Sequence, residues 1–236
     1  MMFYDILSKY YDTIFPFSNV KKEFLMEEFR NGERILDVAC GSGTYSLELD
    51  EEGKKVTAID LDEKMVELLR NKKTSSSRVH EMVMDMTKIK ELNQEFDGIF
   101  CIGNSLVHLP DKKIIGDFIN DCYDVLSENG KMIIQVINYD KILKENMSGL
   151  PDIVRDEGGL EFIRDYIMKS NGNIEFKGTI KFHSGEKYVN SVELVPIVKD
   201  ELEECFKRFK NVTFYGGFDK KTWRLETLPT VIVAEK

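Results

Sequence analysis

The sequence is poor in cysteine and has no long hydrophobic run. Its four cysteines, Cys40, Cys101, Cys122 and Cys205, are scattered without a CxxC pair or metal-finger spacing. This disfavours a zinc site or a disulfide framework and is typical of thiols in a reducing compartment. No apolar run reaches membrane-spanning length, and the first residues lack the basic-then-apolar order of a signal peptide. We therefore expect a cytoplasmic protein.

Positive charge is also in deficit. Lys plus Arg total 33 against 42 for Asp plus Glu, a net charge of −9, which argues against nucleic acid or an anionic membrane as a partner. Internal repeats and low-complexity segments are absent as well. A hydrophobic content of 42% and 236 residues indicate one globular core with a sizeable insertion.

Short β-branched runs alternate with helical patterns over the first 140 or so residues. Asp62 can cap a helix that begins at Glu63, and a second helix is expected over 112–126. The predicted strands are 34–38, 55–59, 79–84, 96–102 and 131–137. This alternation predicts a doubly wound, Rossmann-like α/β fold, with a mostly parallel sheet and helices on both faces.

The pattern changes after Asn138. Three strand-like stretches, 160–168, 174–182 and 187–195, are joined by Asn-Gly and Ser-Gly turns, which predicts an antiparallel insert after strand five. A helix over 199–209 and strands over 212–215 and 230–234 then resume the sheet. We predict a core of residues 1–151 and 197–236 and an insert of residues 152–196.

Two glycines follow the first strand, in a GxG turn that precedes a helix. Gly41 and Gly43 would let the backbone approach a ligand at the carboxyl end of a central strand, although a simple tight turn is the alternative. Asp60 ends the next strand, where a carboxylate can accept both hydroxyls of a ribose. Its alternative role, a helix cap, suits Asp62 better. Together these residues predict a nucleoside-containing ligand.

The charge of the turn favours one nucleoside over others. Ser46 stands where a dinucleotide site would have a third glycine, and Asp37 before the turn suits a cation better than a pyrophosphate. S-adenosylmethionine carries a sulfonium and an ammonium and no phosphate, so it fits better than NAD. Asp85 could accept from the adenine amino group, with Met86 as an apolar wall, although an ordinary strand-end aspartate is the alternative.

At these residues the chain resembles the class I methyltransferases that bind S-adenosylmethionine, over residues 33 to about 140. Within that class it is similar to the glycine and sarcosine N-methyltransferase branch. Its Tyr10–Asp12 segment is also similar to one found in amino-sugar N-methyltransferases. The other matching segments are Asp37–Gly43, Asp60, Asp85–Met86, Phe96–Ile99, Gly103–Asp111 and Asn138–Leu143.

The resemblance implies seven strands, with the last antiparallel strand inserted beside the sixth, and an insert that forms a lid over the acceptor. It places Asn104, His108 and Tyr11 at the catalytic acceptor pocket, although Asn104 and His108 could be turn or cap residues. The implied cofactor contacts, with those argued above, are Tyr11, Asp37, Ala39, Gly41, Ser42, Gly43, Asp60, Leu61, Asp85, Met86 and Ile102.

The implied reaction is in-line transfer of a methyl group to a small-molecule acceptor, with an amine nitrogen favoured and S-adenosylhomocysteine as product. An amine must become neutral, and Tyr11 or His108 could accept its proton through a water. The alternatives are O-methylation of a carboxylate or hydroxyl, a non-catalytic S-adenosylmethionine-binding module, and an NAD-dependent oxidoreductase. Composition leaves the oligomeric state open.

One position departs from the pattern of the resembled branch. Glycine N-methyltransferases have an arginine just before the Asn-Tyr-Asp segment, and here that residue is Ile137. We therefore expect glycine to bind poorly and the acceptor to be larger and less anionic, unless Arg155 or Arg164 of the insert replaces the cation. We also expect Asp60→Ala to weaken cofactor binding, and valine at Gly41 or Gly43 to abolish it without unfolding the protein.

Overall fold

The computed structural model describes residues 3–156 and 158–236, with side chains from residue 6. The predicted core and insert also include Met1, Met2 and Glu157, which lie outside the described residues. The strands are β1 (Arg34–Val38), β2 (Lys55–Asp60), β3 (His80–Val83), β4 (Phe96–Cys101), β5 (Leu126–Ile137), β6 (Gly149–Arg155), β7 (Leu160–Met168), β8 (Ile174–Phe182), β9 (Lys187–Leu194), β10 (Lys210–Tyr215) and β11 (Pro229–Glu235).

Within the described residues, seven α-helices accompany these strands. They are α1 (Phe3–Ile14), α2 (Asn19–Glu28), α3 (Thr44–Glu51), α4 (Glu63–Lys72), α5 (Lys112–Val125), α6 (Tyr139–Lys144) and α7 (Lys199–Cys205). Two short 3-10 segments, Met86–Leu92 and Ser105–His108, follow β3 and β4. Among the described helices, none has the length and apolar character needed to span a bilayer.

Seven strands form one sheet in the order β10-β11-β5-β4-β1-β2-β3. The five strands from β1 to β5 are parallel, and β11 runs antiparallel between β5 and β10. This confirms the predicted Rossmann-like fold and the inserted last strand. The strand order reverses beside β1, so the carboxyl ends of β1 and β4 form the crevice where open α/β sheets bind ligands.

Local chemistry explains where the core elements start and stop. The side chains of β1 and β4 are almost all buried, as expected for strands covered on both faces. Asp62 caps α4, as predicted, by accepting from the Lys64 backbone N–H at 2.9 Å. The buried Lys54 ammonium donates to the Phe29 carbonyl at 2.7 Å and satisfies the end of α2.

The remaining four strands form the insert, an antiparallel sheet in the order β6-β7-β8-β9. The three predicted strands are present, but β6 was not predicted, and the expected boundary at Asp152 falls inside it. The pairing of β6 with β7 shifts register between Leu150 and Ile153. Pro151 and Asp152 lie in this irregular stretch, so the sequence there lacks the alternation that marks a strand.

Helix α1 lies between the insert and the core and contacts both. The Tyr10 ring packs edge-on against Phe182 of β8 with ring centroids 5.1 Å apart. On the core side, Asp12 accepts from the Ser42 hydroxyl at 2.5 Å and forms an ion pair with Lys72 at 2.5 Å. The helix therefore ties the antiparallel sheet to the turn that follows β1.

Candidate active site

A cavity of about 560 Å³ lies between the carboxyl edge of the central sheet, α1 and one face of the insert. Its volume is in the range of small-molecule sites. The wall formed by the core includes Asp37, Ala39, Cys40, Ser42, Ile102, Asn104, His108 and Ile137. The wall formed by the insert includes Leu150, Ile153, Phe162, Arg164, Tyr166, Phe176, Gly178 and Val192. Tyr11 of α1 lies between these walls.

The turn after β1 is left-handed at both glycines, with φ of 56° at Gly41 and 73° at Gly43. A Cβ placed on Gly41 would lie 3.0 Å from the Tyr11 hydroxyl, so the phenol packs directly on the turn. The Gly41 N–H donates to Asp60 Oδ2 at 2.8 Å. Three of the predicted cofactor residues are therefore brought together at this edge of the sheet.

Gly43 serves the packing of the fold. A Cβ there would lie 2.2 Å from Leu69 Cδ1, because α4 packs tightly against the turn. The expectation that valine at Gly43 would leave the protein folded is therefore at odds with the structure. Any substitution at this position has to displace a buried leucine in addition to straining the backbone.

Backbone hydrogen bonds hold the Asp60 carboxylate in place. Its second oxygen, Oδ1, accepts from the Asp62 N–H at 2.9 Å, so both oxygens are oriented at the end of β2. Burial raises the pKa of Asp60 above its ordinary value, although these backbone N–H groups partly oppose the shift. The adjacent Leu61 exposes 71% of its surface. Neither residue lines the described cavity, but an oriented carboxylate beside exposed apolar surface is chemically suited to a ribose and its base.

Asp85 is engaged in local contacts. It accepts from the Thr87 N–H at 2.9 Å and from the Thr87 hydroxyl at 2.8 Å, and so caps the 3-10 segment that begins at Met86. Neither Asp85 nor Met86 lies in the described cavity wall. The capping role accounts for the contacts of Asp85, and adenine binding by Asp85 and Met86 stays a prediction.

Asp37 is a buried acid at the end of β1, with 3% of its surface exposed. It accepts from the Ser46 hydroxyl at 2.6 Å. Burial raises the pKa of Asp37 to about 7, against the opposing effect of this hydrogen bond. The residue that replaces the third glycine of a dinucleotide turn is therefore the hydrogen-bond partner of the acid, a contact that sequence reasoning missed.

Tyr11 carries a protonated phenol into the cavity. Burial raises the pKa of its hydroxyl well above the ordinary value, and the carboxylates of Asp60, Asp12 and Asp37 raise it further. A phenol in this setting keeps its proton over the physiological range. It can donate a hydrogen bond to a ligand, but it is poorly suited to accept a proton from one.

Asn104 and His108 lie together on the segment after β4. Asn104 adopts φ of 71°, accepts from the Ile137 N–H at 2.9 Å, and donates from Nδ2 to the Tyr139 hydroxyl at 3.0 Å. These contacts cross-link the ends of β4 and β5. His108 is exposed to the cavity, and desolvation by the protein around its other side lowers the pKa of its imidazole.

Sequence reasoning missed several residues of the wall. Gln135 on β5 accepts from the Gly103 N–H at 2.8 Å, and its polar side chain in the otherwise apolar run of β5 was an available signal. Lys21 of α2 reaches the cavity beside Tyr45, with its ammonium 5.7 Å from the ring centroid. Burial lowers the pKa of this lysine. No local pattern in the sequence marks Lys21, because α2 approaches the turn only in the folded chain.

A family model and individual relatives both identify similarity to methyltransferases. A family model described as a methyltransferase domain matches residues 35–130. A glycine/sarcosine N-methyltransferase from Aphanothece halophytica is 24% identical over 209 residues, which are 86% of this chain and 77% of the relative. Human glycine N-methyltransferase is 35% identical over 130 residues, which are 47% of this chain and 43% of that protein. The chain thus spans less than half of the human relative.

Solved structures extend the likeness of the fold to nearly the whole chain. An S-adenosylmethionine-dependent methyltransferase from Clostridium acetobutylicum has a TM-score of 0.81 at 18% identity, with 98% of each chain covered. An S-adenosylmethionine-bound amino pentose methyltransferase from Micromonospora echinaspora has a TM-score of 0.67 at 15% identity, with 90% of this chain and 87% of that chain covered. The matched family segment contains both glycines of the turn and the Asp60 that holds it, and this chain belongs to the class I S-adenosylmethionine-dependent methyltransferases.

Proposed function

We propose that this methyltransferase acts on the nitrogen of a small-molecule amine. The observation that carries the proposal is the single cavity that joins the cofactor turn at Ala39 and Ser42 to Asn104 and His108 and is covered by the insert. A volume of about 560 Å³ suits a cofactor end and a small acceptor better than a macromolecular segment. Relatives named for N-methylation of glycine and sarcosine, and a structural neighbour named for an amino pentose, support the same class of acceptor.

The residues present fit S-adenosylmethionine. The Asp60 carboxylate, already held by two backbone N–H groups, retains lone pairs for the ribose hydroxyls. Leu61 offers apolar surface for the base, and Asp37 places negative charge where the methionine ammonium and sulfonium would lie. Lys21 in the same wall would attract the methionine carboxylate. When bound, the cofactor supplies a methyl group that the sulfonium has already activated.

The protein then has to orient the acceptor and exclude water. The rings of Phe162, Tyr166 and Phe176 cover the cavity from the insert, and a positioned nucleophile about 3 Å from the methyl carbon needs no further activation than a free lone pair. His108 is neutral near pH 7 because its pKa is lowered, so it can accept the amine proton through a water. Tyr11 keeps its proton and orients ligands by hydrogen bonding.

The test uses calorimetry and a transfer assay. We expect S-adenosylmethionine and S-adenosylhomocysteine to bind and NADH not to bind. With labelled methyl donor and a panel of small amines, the label should appear in a product that resists alkaline hydrolysis, as N-methyl groups do. An alkali-labile product would identify a carboxylate as the acceptor, and label in an ether would identify a hydroxyl. Either result would replace the amine with the O-methyl alternative.

A further inference from the structure

The cavity wall has the opposite charge balance from the protein as a whole. The chain carries a net charge of −9, yet the described wall contains the cationic residues Lys21, Arg155 and Arg164 and a single carboxylate, Asp37. Such a reversal concentrates positive potential where a ligand binds. Binding of a cationic methyl donor does not explain this positive charge in the wall.

Two of these three cations have another role: one lies near the cofactor turn, and the other is hydrogen-bonded to the backbone of α1. Lys21 lies near the cofactor turn, beside Tyr45. Arg155 donates from Nε to the Thr13 carbonyl at 2.9 Å and from Nη2 to the Ile14 carbonyl at 3.0 Å, and so holds the end of α1. Arg164 is the cation of the insert wall that remains for a ligand.

Arg164 lies on β7 between Phe162 and Tyr166, and all three face the cavity. Its register partner on β8 is Gly178, which adds no side chain to this row. The guanidinium donates from Nη2 to the Pro151 carbonyl. Its Nε is buried, and no described residue accepts a hydrogen bond from it. A buried donor without an acceptor is unfavourable, so this site favours a ligand that brings one.

The surroundings of Arg164 define the kind of acceptor group that fits. Arg164 forms no salt bridge within 4.0 Å with a described residue. Burial lowers its pKa without removing its charge, and the more distant Asp152 carboxylate opposes this shift. A planar carboxylate can pair with a guanidinium through two parallel hydrogen bonds. A neutral carbonyl would satisfy the donor but would not pair with the charge of this half-buried guanidinium.

We propose that Arg164 binds a carboxylate of the methyl acceptor, so that the substrate is an amine that also carries a carboxylate. The proposal rests on the N-methyl transfer proposed above. Arg164 would then supply, from the insert wall, the cation that is missing where Ile137 stands in the core wall. In the glycine N-methyltransferases that this chain resembles, the arginine stands at the position of Ile137, which here is in the core wall. The carboxylate of this acceptor would therefore bind at the opposite side of the cavity.

Aromatic side chains lie beside Arg164 on the insert wall. Tyr166 follows Arg164 by two residues on the same face of β7, and its ring centroid lies 6.0 Å from that of Phe176, which lines the same wall. This apolar surface beside the guanidinium favours an acceptor with an apolar body over glycine itself.

The experiment compares each acid with its amide. Glycine, leucine, phenylalanine and 6-aminohexanoate, each paired with the corresponding amide, are assayed with labelled S-adenosylmethionine. In the wild type, we expect kcat/KM for at least one acid to exceed that of its amide by about tenfold or more, because only the acid makes a charge-assisted pair with Arg164. Arg164→Gln should remove this preference by lowering turnover of the acid about tenfold, while the amide is used as before.

Controls separate the subsite from the fold and from the cofactor. Arg164→Lys should recover part of the acid preference, because it keeps the charge and loses the fork. Lys177→Gln removes a cation from the strand next to β7, at a position outside the cavity wall, and should keep the full preference. All three variants should bind S-adenosylhomocysteine with wild-type affinity in calorimetry.

The outcomes are distinguishable. Equal use of acid and amide by the wild type, or a preference that survives Arg164→Gln, overturns the carboxylate subsite and leaves amine methylation standing. Transfer to none of these acids and amides overturns the subsite. The amine acceptor itself is overturned only if the wider panel of small amines also gives no N-methyl product.

Discussion

The two walls of the cavity are built in different ways. The core wall is positioned through the backbone: the turn that carries Ala39 and Ser42 is held by a hydrogen bond from the Gly41 N–H to the Asp60 carboxylate, outside the cavity lining. The insert wall presents alternate side chains of a sheet, such as Phe162 and Arg164, whose positions depend on strand register. A side chain on such a sheet can change without moving the cofactor turn, so the insert can alter acceptor choice while the core keeps the donor.

The largest effect that we expect concerns the packing of the turn that supports the core wall. Gly43→Ala should lower the free energy of unfolding by about 2–5 kcal/mol, the sum of left-handed strain and overpacking against Leu69. Gly53→Ala is the matched control, since Gly53 has φ of 89° with no described atom within 4 Å of an added Cβ. It should cost about 1–2 kcal/mol, from strain alone. Equal losses in urea denaturation would show that Leu69 adjusts freely.

Next in size is the loss of cofactor affinity in Asp60→Ala. The variant removes the acceptor for the ribose and also releases the Gly41 N–H, so we expect at least about tenfold weaker S-adenosylmethionine binding in calorimetry. Asp62→Ala is the control. It removes the cap of α4 and costs about 1 kcal/mol of stability, but it keeps the backbone N–H that Asp60 uses. Unchanged affinity in Asp60→Ala would contradict the ribose assignment.

Features of the core that depend on local sequence could be predicted, whereas features that depend on contacts between distant residues could not. The glycine turn, the alternation of strands and helices in the core and the Asp62 cap follow from local patterns, and the structure has all three. The place of the last strand beside β10 was implied by the family resemblance. Strand β6 escaped prediction because Pro151 and a register shift interrupt its alternation. The placement of α1 depends on contacts across the fold, such as Tyr10 on Phe182. Residues whose neighbours are distant in sequence leave no short-range signal.

A smaller effect should appear as a pH dependence of the core wall. The Asp37 pKa is about 7 without ligand, and a bound cation favours the carboxylate, so binding releases a proton below that pH. Affinity for S-adenosylmethionine should therefore rise about fivefold from pH 6 to pH 7.5 and then level off. Without ligand, the raised pKa has the opposite consequence: the folded state loses stability as the pH rises from about 4 to 7.

Asp37→Asn is the matched variant for this pH dependence, because it keeps the shape and removes the titrating group. The rise in affinity between pH 6 and 7.5 should disappear in it, apart from any titration of the cofactor's own amine. Calorimetry in two buffers of different ionisation enthalpy measures the proton release directly. A release that persists in Asp37→Asn would assign the titration to another group.

The smallest expected effect tests whether the two walls are independent at all. Arg155 belongs to the insert, but it donates to the carbonyls of Thr13 and Ile14 and so holds the helix that carries Tyr11. Arg155→Met should weaken S-adenosylmethionine binding about threefold, since the hydrogen bonds of a half-exposed guanidinium are worth about 1 kcal/mol. The effect stays small because the ion pair of Asp12 with Lys72 also holds α1.

Lys181→Met is the matched control for Arg155→Met, because it removes another cation of the insert, one that pairs with Glu161 within the sheet. It should leave the affinity unchanged. If Arg155→Met also leaves the affinity unchanged, then the insert affects the acceptor alone and the two walls act separately. A threefold loss confined to Arg155 would instead mean that α1 transmits the position of the insert to the cofactor turn, so that exchanging the insert for a new acceptor would require α1 to be exchanged with it.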